Sequence, residues 1–190
     1  GRGIGRVIAL RMAQDGADVI VHYANSKTGA DETVAEIMAL GRKAVSYKAD
    51  IANRAEVRAM FAEIDKDPGK IDIVVNNSGV SSASTLADVT DEDIEHIFGV
   101  NTFGPLYVAS EAASRLPEGG RIINFSSSAA HHPMAGAGLY MAAKKAVESF
   151  TENWARELGK RSITVNTVVP GATSPGMIDV TWIGSSTSSS

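Results

Sequence analysis

Apolar residues along this chain follow two spacings that take turns. Short β-branched runs, such as Val19-Ile20-Val21 and Ile71-Asp72-Ile73-Val74-Val75, have the length and composition of buried strands. Between them lie segments of ten or more residues with apolar positions three or four apart, as at Val34, Ile37 and Met38. The pattern predicts strands over 17–23, 43–49, 71–75, 121–125 and 162–169. It predicts helices over 6–15, 30–40, 54–65 and 142–158, and a long one starting near 90. Gly16, Gly41 and Gly159 serve as helix stops, and Pro68-Gly69 breaks the third helix. Thr90-Asp91-Glu92-Asp93 reads as a capping box. Strand and helix alternating at this spacing imply right-handed crossovers, hence a doubly wound parallel sheet in a three-layer α/β/α sandwich.

Composition narrows the function classes. The chain has 190 residues, 44% hydrophobic and 21% charged, with a formal net charge of −4 and no cysteine. A chain of this length buries about 70% of its unfolded surface, which suits one domain over 1–180. The Ser-rich stretch 181–190 reads as a disordered tail. Without a basic cluster, nucleic acid is not an expected partner. No apolar run is long enough to span a membrane, and disulfides and thiolate metal sites are excluded. With no secretory signal in the sequence, a cytoplasmic location is the expectation.

Ligands of such sheets bind beyond the carboxyl ends of the strands. Those ends carry Tyr23 to Ser26, Asp50, Asn76-Asn77-Ser78-Gly79, Ser126-Ser127-Ser128 and Pro170-Gly171, a collection of small, polar and turn-forming residues. Gly1-Arg2-Gly3-Ile4-Gly5 leads into the first helix, a pattern that brings backbone N–H groups against a phosphate. Tyr140 and Lys144 are four apart, so on a helix they share a face. A phenol with a pKa of about 10 is a weak acid at neutral pH, and a neighbouring ammonium favours its ionised form. His131-His132 has no evident third ligand and adjacent side chains diverge, so no metal is expected.

These motifs together resemble the short-chain dehydrogenase/reductase family, Rossmann-fold enzymes that use a nicotinamide cofactor and a Ser-Tyr-Lys catalytic set. The resemblance runs from Gly1 to about Thr173. It rests on Gly3-Ile4-Gly5, Asp50, Asn76-Asn77-Ser78-Gly79, Asn101, Ser127, Tyr140, Lys144 and Pro170-Gly171, with Ser127 thirteen positions before Tyr140. The segment from Gly104 to Ser128 is similar to the 3-oxoacyl carrier-protein reductases and the fungal polyketide ketone reductases.

The resemblance implies roles. Tyr140 gives a proton to the substrate carbonyl oxygen, Ser127 hydrogen-bonds that oxygen, and Lys144 holds the nicotinamide ribose. Asn101 resembles the residue that holds a water leading to the lysine. Arg2, Gly3, Ile4, Gly5, Tyr23, Ser26, Asp50, Ile51, Asn77, Gly79, Pro170, Gly171 and Thr173 are the implied cofactor contacts. NADPH is the expected cofactor. The position after the second family strand holds Tyr23 rather than a carboxylate, and Arg2, Ser26 and Lys27 suit a 2′-phosphate. The implied partners are a small carbonyl substrate and a second copy of the chain, as homodimer or homotetramer. Leu106, Tyr107, Val108, Val147, Phe150 and Trp154 are the apolar positions expected at that subunit face.

Departures from the family pattern shape the other expectations. The first family strand and the leading Thr-Gly of the glycine loop do not precede Gly1, and Pro175 stands where the family has Thr. Trp182-Ile183-Gly184 and the Ser tail replace the last helix and strand. The sheet is therefore expected to lack its first and last family strands. Two readings follow: an NADPH-dependent ketone reductase, or a truncated, inactive homologue that at most binds nucleotide or a partner.

Overall fold

In the computed structural model, residues 3–171 and residue 173 are described. Arg2, Pro175 and the Ser-rich tail lie outside the described residues. Five strands alternate with helices: β1 Val19–Tyr23, β2 Ala44–Lys48, β3 Ile73–Asn76, β4 Arg121–Phe125 and β5 Thr164–Val168. The helices are α1 Gly3–Gln14, α2 Lys27–Ala39, α3 Arg54–Ile64, α4 Asp91–Phe98, α5 Gly104–Ala113 and α6 Gly138–Leu158. Every strand pair is parallel. This is the expected Rossmann-like α/β architecture.

Two boundaries differ in ways that matter for the site. The helix starting at Thr90 has the expected capping box, with the Thr90 and Asp93 side chains each bonded to the other's backbone. It is not one α-helix, however: a π-helical turn, Gly99–Phe103, separates α4 from α5. Such turns recur at functional sites. Helix α6 begins at Gly138 rather than near 142, its first turn closed by Met141 N–H on the Ala137 carbonyl at 2.9 Å. Glycine at the start hides this turn from a reading based on propensity. Tyr140 is thus inside the helix.

The strands form two separate sheets, β1-β2 and β3-β4-β5. No ladder joins β1 to β3. A cavity of about 2270 Å³ opens between them, lined by Val19, Ile20 and Val21 on one wall and Ile73, Val74 and Val75 on the other. The gap agrees with a sheet that lacks its first family strand; the expectation about the last one falls outside the described residues. The core is divided likewise. Ala13, Val21, Ala30 and Ile37 form a small cluster under α1 and α2. Phe61, Leu116, Ile122 and Ile163 anchor the larger one between α3, α5 and the three-stranded sheet.

A buried polar chain fixes α6 on the larger sheet. Asn76 of β3 donates through Nδ2 to Asn124 Oδ1 of β4 at 2.9 Å. Asn124 donates to Thr151 Oγ1 of α6 at 2.8 Å, and Thr167 of β5 donates to that same hydroxyl at 2.8 Å. Such bonds add only about 1 kcal/mol each, but an unpaired buried amide costs about 1–3 kcal/mol. A slip of α6 by one turn breaks both bonds to Thr151 and leaves the Asn124 amide short of a partner, so the chain sets register more than it adds stability.

One expectation about subunit packing is corrected. Val147 shares the inward stripe of α6 with Ala143 and Thr151, and it is 1% exposed within a single chain. The four-residue spacing of that stripe points it at the sheet, so it offers nothing to a second copy. Phe150 and Trp154 stack at 5.3 Å between ring centroids, with Trp154 leaning on the larger core. Among the described residues no helix is long and apolar enough to cross a membrane.

The open slot generates a prediction. Two parallel strands facing a gap leave backbone N–H and C=O groups without ladder partners, which costs cooperativity. Residues 1–190 alone should melt broadly and bind nucleotide weakly in calorimetry and circular dichroism. Adding an N-terminal β-segment ending in Thr-Gly should sharpen the melt and recover nucleotide binding first. A sharp cooperative transition for residues 1–190 alone, raised by NADPH, contradicts this.

Candidate active site

Lys144 is the unusual residue of α6, because a lysine there is 3% exposed. Its ammonium donates to the carbonyl of Phe125, the last residue of β4, at 2.9 Å. It also lies 5.8 Å from the centroid of the Tyr140 ring, one helical turn before it. Withdrawing an ammonium from water costs several kcal/mol, against about 1.5–3 kcal/mol for one hydrogen bond to a charged group. Desolvation therefore wins, and burial lowers the Lys144 pKa to about 8.

Ser127 caps a 3₁₀ turn, Ser128–His131, that follows β4, and its Oγ accepts from Ala129 N–H at 3.2 Å. That contact leaves the hydroxyl proton available for donation. Ser128 N–H donates to the Pro170 carbonyl at 2.8 Å, which stitches this turn to the Pro170-Gly171 segment after β5. The serine turn, the tyrosine helix and the end of β5 therefore meet.

Asn101 is fully buried in the π turn. Its Nδ2 donates to the carbonyls of Val80 at 2.8 Å and Ile97 at 3.0 Å, and its Oδ1 accepts from Val80 N–H at 3.0 Å. The amide thus ties the loop after β3 to the helix. Beside it, Thr102 donates to the Ala143 carbonyl at 3.2 Å, joining the π turn to α6 next to Lys144.

The other end of the site is built from glycine and short polar residues. Gly3 has φ +62°, the left-handed region that a side chain strains. A Cβ on Gly5 would come within 2.7 Å of Asn77 Nδ2, so α1 packs directly on the loop after β3. The first-turn N–H groups of α1 lack partners within the helix, and no acidic residue sits among them. Asp50 is held by Ala52 N–H on its Oδ1 at 2.9 Å, while its own N–H donates to Glu56 at 2.8 Å. Lys27 is engaged with Asp31 at 2.6 Å and does not line the cleft.

One cavity gathers nearly all the expected positions. Gly3, Ile4, Gly5, Tyr23, Ser26, Asp50, Ile51, Asn77 and Gly79 line it toward α1, and Ser127, Tyr140, Lys144, Pro170, Gly171 and Thr173 line it toward α6. Asn101 does not reach its wall, and Arg2 lies outside the described residues. Helix-terminal N–H groups without partners inside α1, small residues and a run from Tyr23 to Ser26 that holds no carboxylate fit a phosphorylated dinucleotide laid along this cleft. One feature of the site is missing from the motif reading. Glu148, one turn beyond Lys144, accepts from the buried Ser126 hydroxyl at 2.6 Å. The spacing is visible in the sequence; the contact depends on how the 3₁₀ turn folds back.

Comparison with known proteins agrees with the geometry. The short chain dehydrogenase family model matches residues 1–182, and the chain belongs to that family. A short-chain dehydrogenase/reductase from Pestalotiopsis microspora is 45% identical over 174 residues, which is 91% of this chain and 66% of the relative. The chain thus spans just under two thirds of that protein's length. A short chain dehydrogenase from Burkholderia cenocepacia, solved in complex with NADP, superposes with a TM-score of 0.89 at 44% identity. That match covers 93% of this chain and 72% of the solved one. The landomycin C-6 ketoreductase LanV, solved with bound NADP and rabelomycin, gives a TM-score of 0.87 at 36% identity. It covers 92% of this chain and 74% of that one.

The Lys144 environment predicts a pH limb. A group with a lowered pKa loses its proton early, so the ammonium is present below about pH 8 and absent above it, against 10.5 for an ordinary lysine. Turnover of the intact protein that needs this charge should fall as pH rises through about 8. Lys144→Arg, whose guanidinium stays charged, should be slower overall but flat across that range. Identical high-pH limbs for the two proteins would show that another group titrates.

Proposed function

We propose that this protein is an NADPH-dependent reductase of ketones, of the 3-oxoacyl or polyketide type, with Tyr140 as general acid. The observation that carries the reading is the single cleft in which Ser127, Tyr140 and the buried Lys144 stand opposite a glycine-rich helix terminus. The bound nicotinamide supplies the hydride. Tyr140 donates the proton that the carbonyl oxygen takes up, and the Ser127 hydroxyl stabilises negative charge as it grows on that oxygen. Lys144 holds positive charge beside the Tyr140 ring. It also presents donors toward the cleft where a ribose would lie. Asn101 acts as a positioning residue by pinning the loop after β3. The helix terminus of α1 would receive the pyrophosphate, and Asp50 with Ile51 would border the adenine.

Removing the phenolic hydroxyl tests the acid. Tyr140→Phe keeps the ring, so turnover should fall at least ~10²-fold with nucleotide affinity nearly unchanged. Steady-state kinetics with NADPH titration measures both. Ketone reduction by the Phe variant at the parent rate would remove Tyr140 from the mechanism.

Cofactor choice rests on the end of β1, where Tyr23 and Ser26 line the cleft. Tyr23→Asp adds an acceptor for a ribose 2′-OH and a charge that repels a 2′-phosphate. Preference should move toward NADH by about tenfold or more, since one such interaction is worth about 1.4 kcal/mol or more. Equal losses for NADPH and NADH would show that this position does not read the 2′ group. A second reading, an inactive homologue that at most binds nucleotide or a partner, draws on the open slot between β1 and β3. Ketone reduction assayed with NADPH on the intact protein separates the two: turnover supports the reductase, and nucleotide binding without turnover supports the inactive homologue.

A further inference from the structure

We infer that Glu148 is a positioning residue for Ser127, its carboxylate clamping the turn that carries the serine onto the helix that carries Tyr140. The inference rests on the catalytic reading of Ser127 and Tyr140 given above.

Among the described residues no side chain bonds to Ser127; the contact that holds its hydroxyl is the backbone N–H of Ala129. Its place is therefore set by the backbone on either side. Immediately before it, the buried Ser126 hydroxyl donates to Glu148 Oε1 at 2.6 Å. Four residues after it, His131 Nε2 meets the same oxygen at 2.9 Å. The Lys145 ammonium donates to the other carboxylate oxygen at 2.9 Å and approaches His131 Nδ1 at 2.9 Å. The neutral tautomer that suits both contacts carries its proton on Nε2 and donates it to Glu148, an assignment made from the partners, with the ammonium nearer Nδ1 than Nε2, which it approaches at 3.4 Å.

The clamp has consequences beyond its own bonds. Its two anchors bracket Ser127, while Lys144, on the same helix, holds the Phe125 carbonyl just before them. Three positions of the serine segment, Phe125, Ser126 and His131, are thus fixed to α6. Burial opposes a charge on Glu148, but hydrogen bonds from Ser126, Lys145 and His131 outweigh it and keep the carboxyl below its usual range. Ser127 and Tyr140 must reach one carbonyl oxygen together, and a displacement of about 1 Å in such a pair costs up to about 10²-fold in rate. A carboxylate with an 18% exposed side chain, whose Oε1 accepts from both ends of this turn while Lys145 holds Oε2 from α6, meets that demand.

The test uses the intact protein with NADPH and a ketone it reduces. Glu148→Ala should lower kcat about 10- to 100-fold and leave NADPH affinity within about twofold. Glu148→Gln, whose amide oxygen still accepts from Ser126 and His131, should keep most of kcat. In a Ser127→Ala background, Glu148→Ala should cost little more, because its effect runs through a hydroxyl already removed. Should Glu148→Ala fail to fold, Ser126→Ala releases the clamp from the buried side and should show the same non-additivity. Unchanged kcat in the releasing variant, or full additivity with Ser127→Ala, overturns the inference while leaving the catalytic reading standing. An active Ser127→Ala enzyme with unchanged kcat overturns both.

Discussion

A lysine ammonium withdrawn almost wholly from solvent, held by one backbone carbonyl at the end of a strand, constrains this structure more than any other contact. Lys144 can stay there only if α6 keeps its distance and register on β4, because a shift leaves a buried cation without its acceptor. The polar chain from Asn76 through Asn124 to Thr151 and Thr167 sets that register from inside the sheet. The inward stripe Ala143, Val147 and Thr151 lets the helix lie close enough to be held. Hydrophobic burial drives α6 onto the sheet, and the polar contacts choose where it stops. Tyr140 and Ser127 inherit their positions from that choice.

The same logic explains why the two halves of the site differ. The half proposed to be catalytic rests on a continuous three-stranded sheet with a large core. The half proposed to hold nucleotide rests on two strands, α1 and α2, with a core of four buried residues. Its contacts with the catalytic half include the Asn77 loop against Gly5 and the partly buried Ile20 and Tyr47 against the larger core. A cleft that must hold one long ligand is thus built from parts of unequal rigidity. Nucleotide affinity should depend on whatever joins β1 to β3, and the chemistry on α6.

Much of this was open to reading in the residues, and for a physical reason. Strands β1, β3, β4 and β5 are rich in β-branched residues, and β2 is a short run between Gly41 and Asp50, so composition and punctuation locate them. Many of the candidate site residues sit past strand ends, where topology dictates that ligands bind, and Tyr140 and Lys144 advertise their shared face by spacing. What spacing does not reveal is the depth of a side chain. Lys144 looks like any helix lysine in the sequence, yet it is buried; Val147 looks like an interface residue, yet it faces the sheet. The π turn at Asn101 is invisible to propensity because it depends on a side chain bonding to Val80, twenty-one residues away in sequence. The Ser126–Glu148 contact is similarly long-range, and no local rule assigns it.

The central claim is that the α6–β4 unit, with its buried ammonium, completes a hydride-transfer site. It is tested most directly by following deuterium from NADPH labelled at its transferable position into a cyclic aromatic ketone, using the intact protein and its Lys144→Met variant. The account predicts label on the carbinol carbon of the product with the parent protein, and a loss of at least ~10²-fold in the rate of labelling with the variant. Labelling by Lys144→Met at the parent rate, or ketone reduction by the parent without transfer of the label, would contradict it.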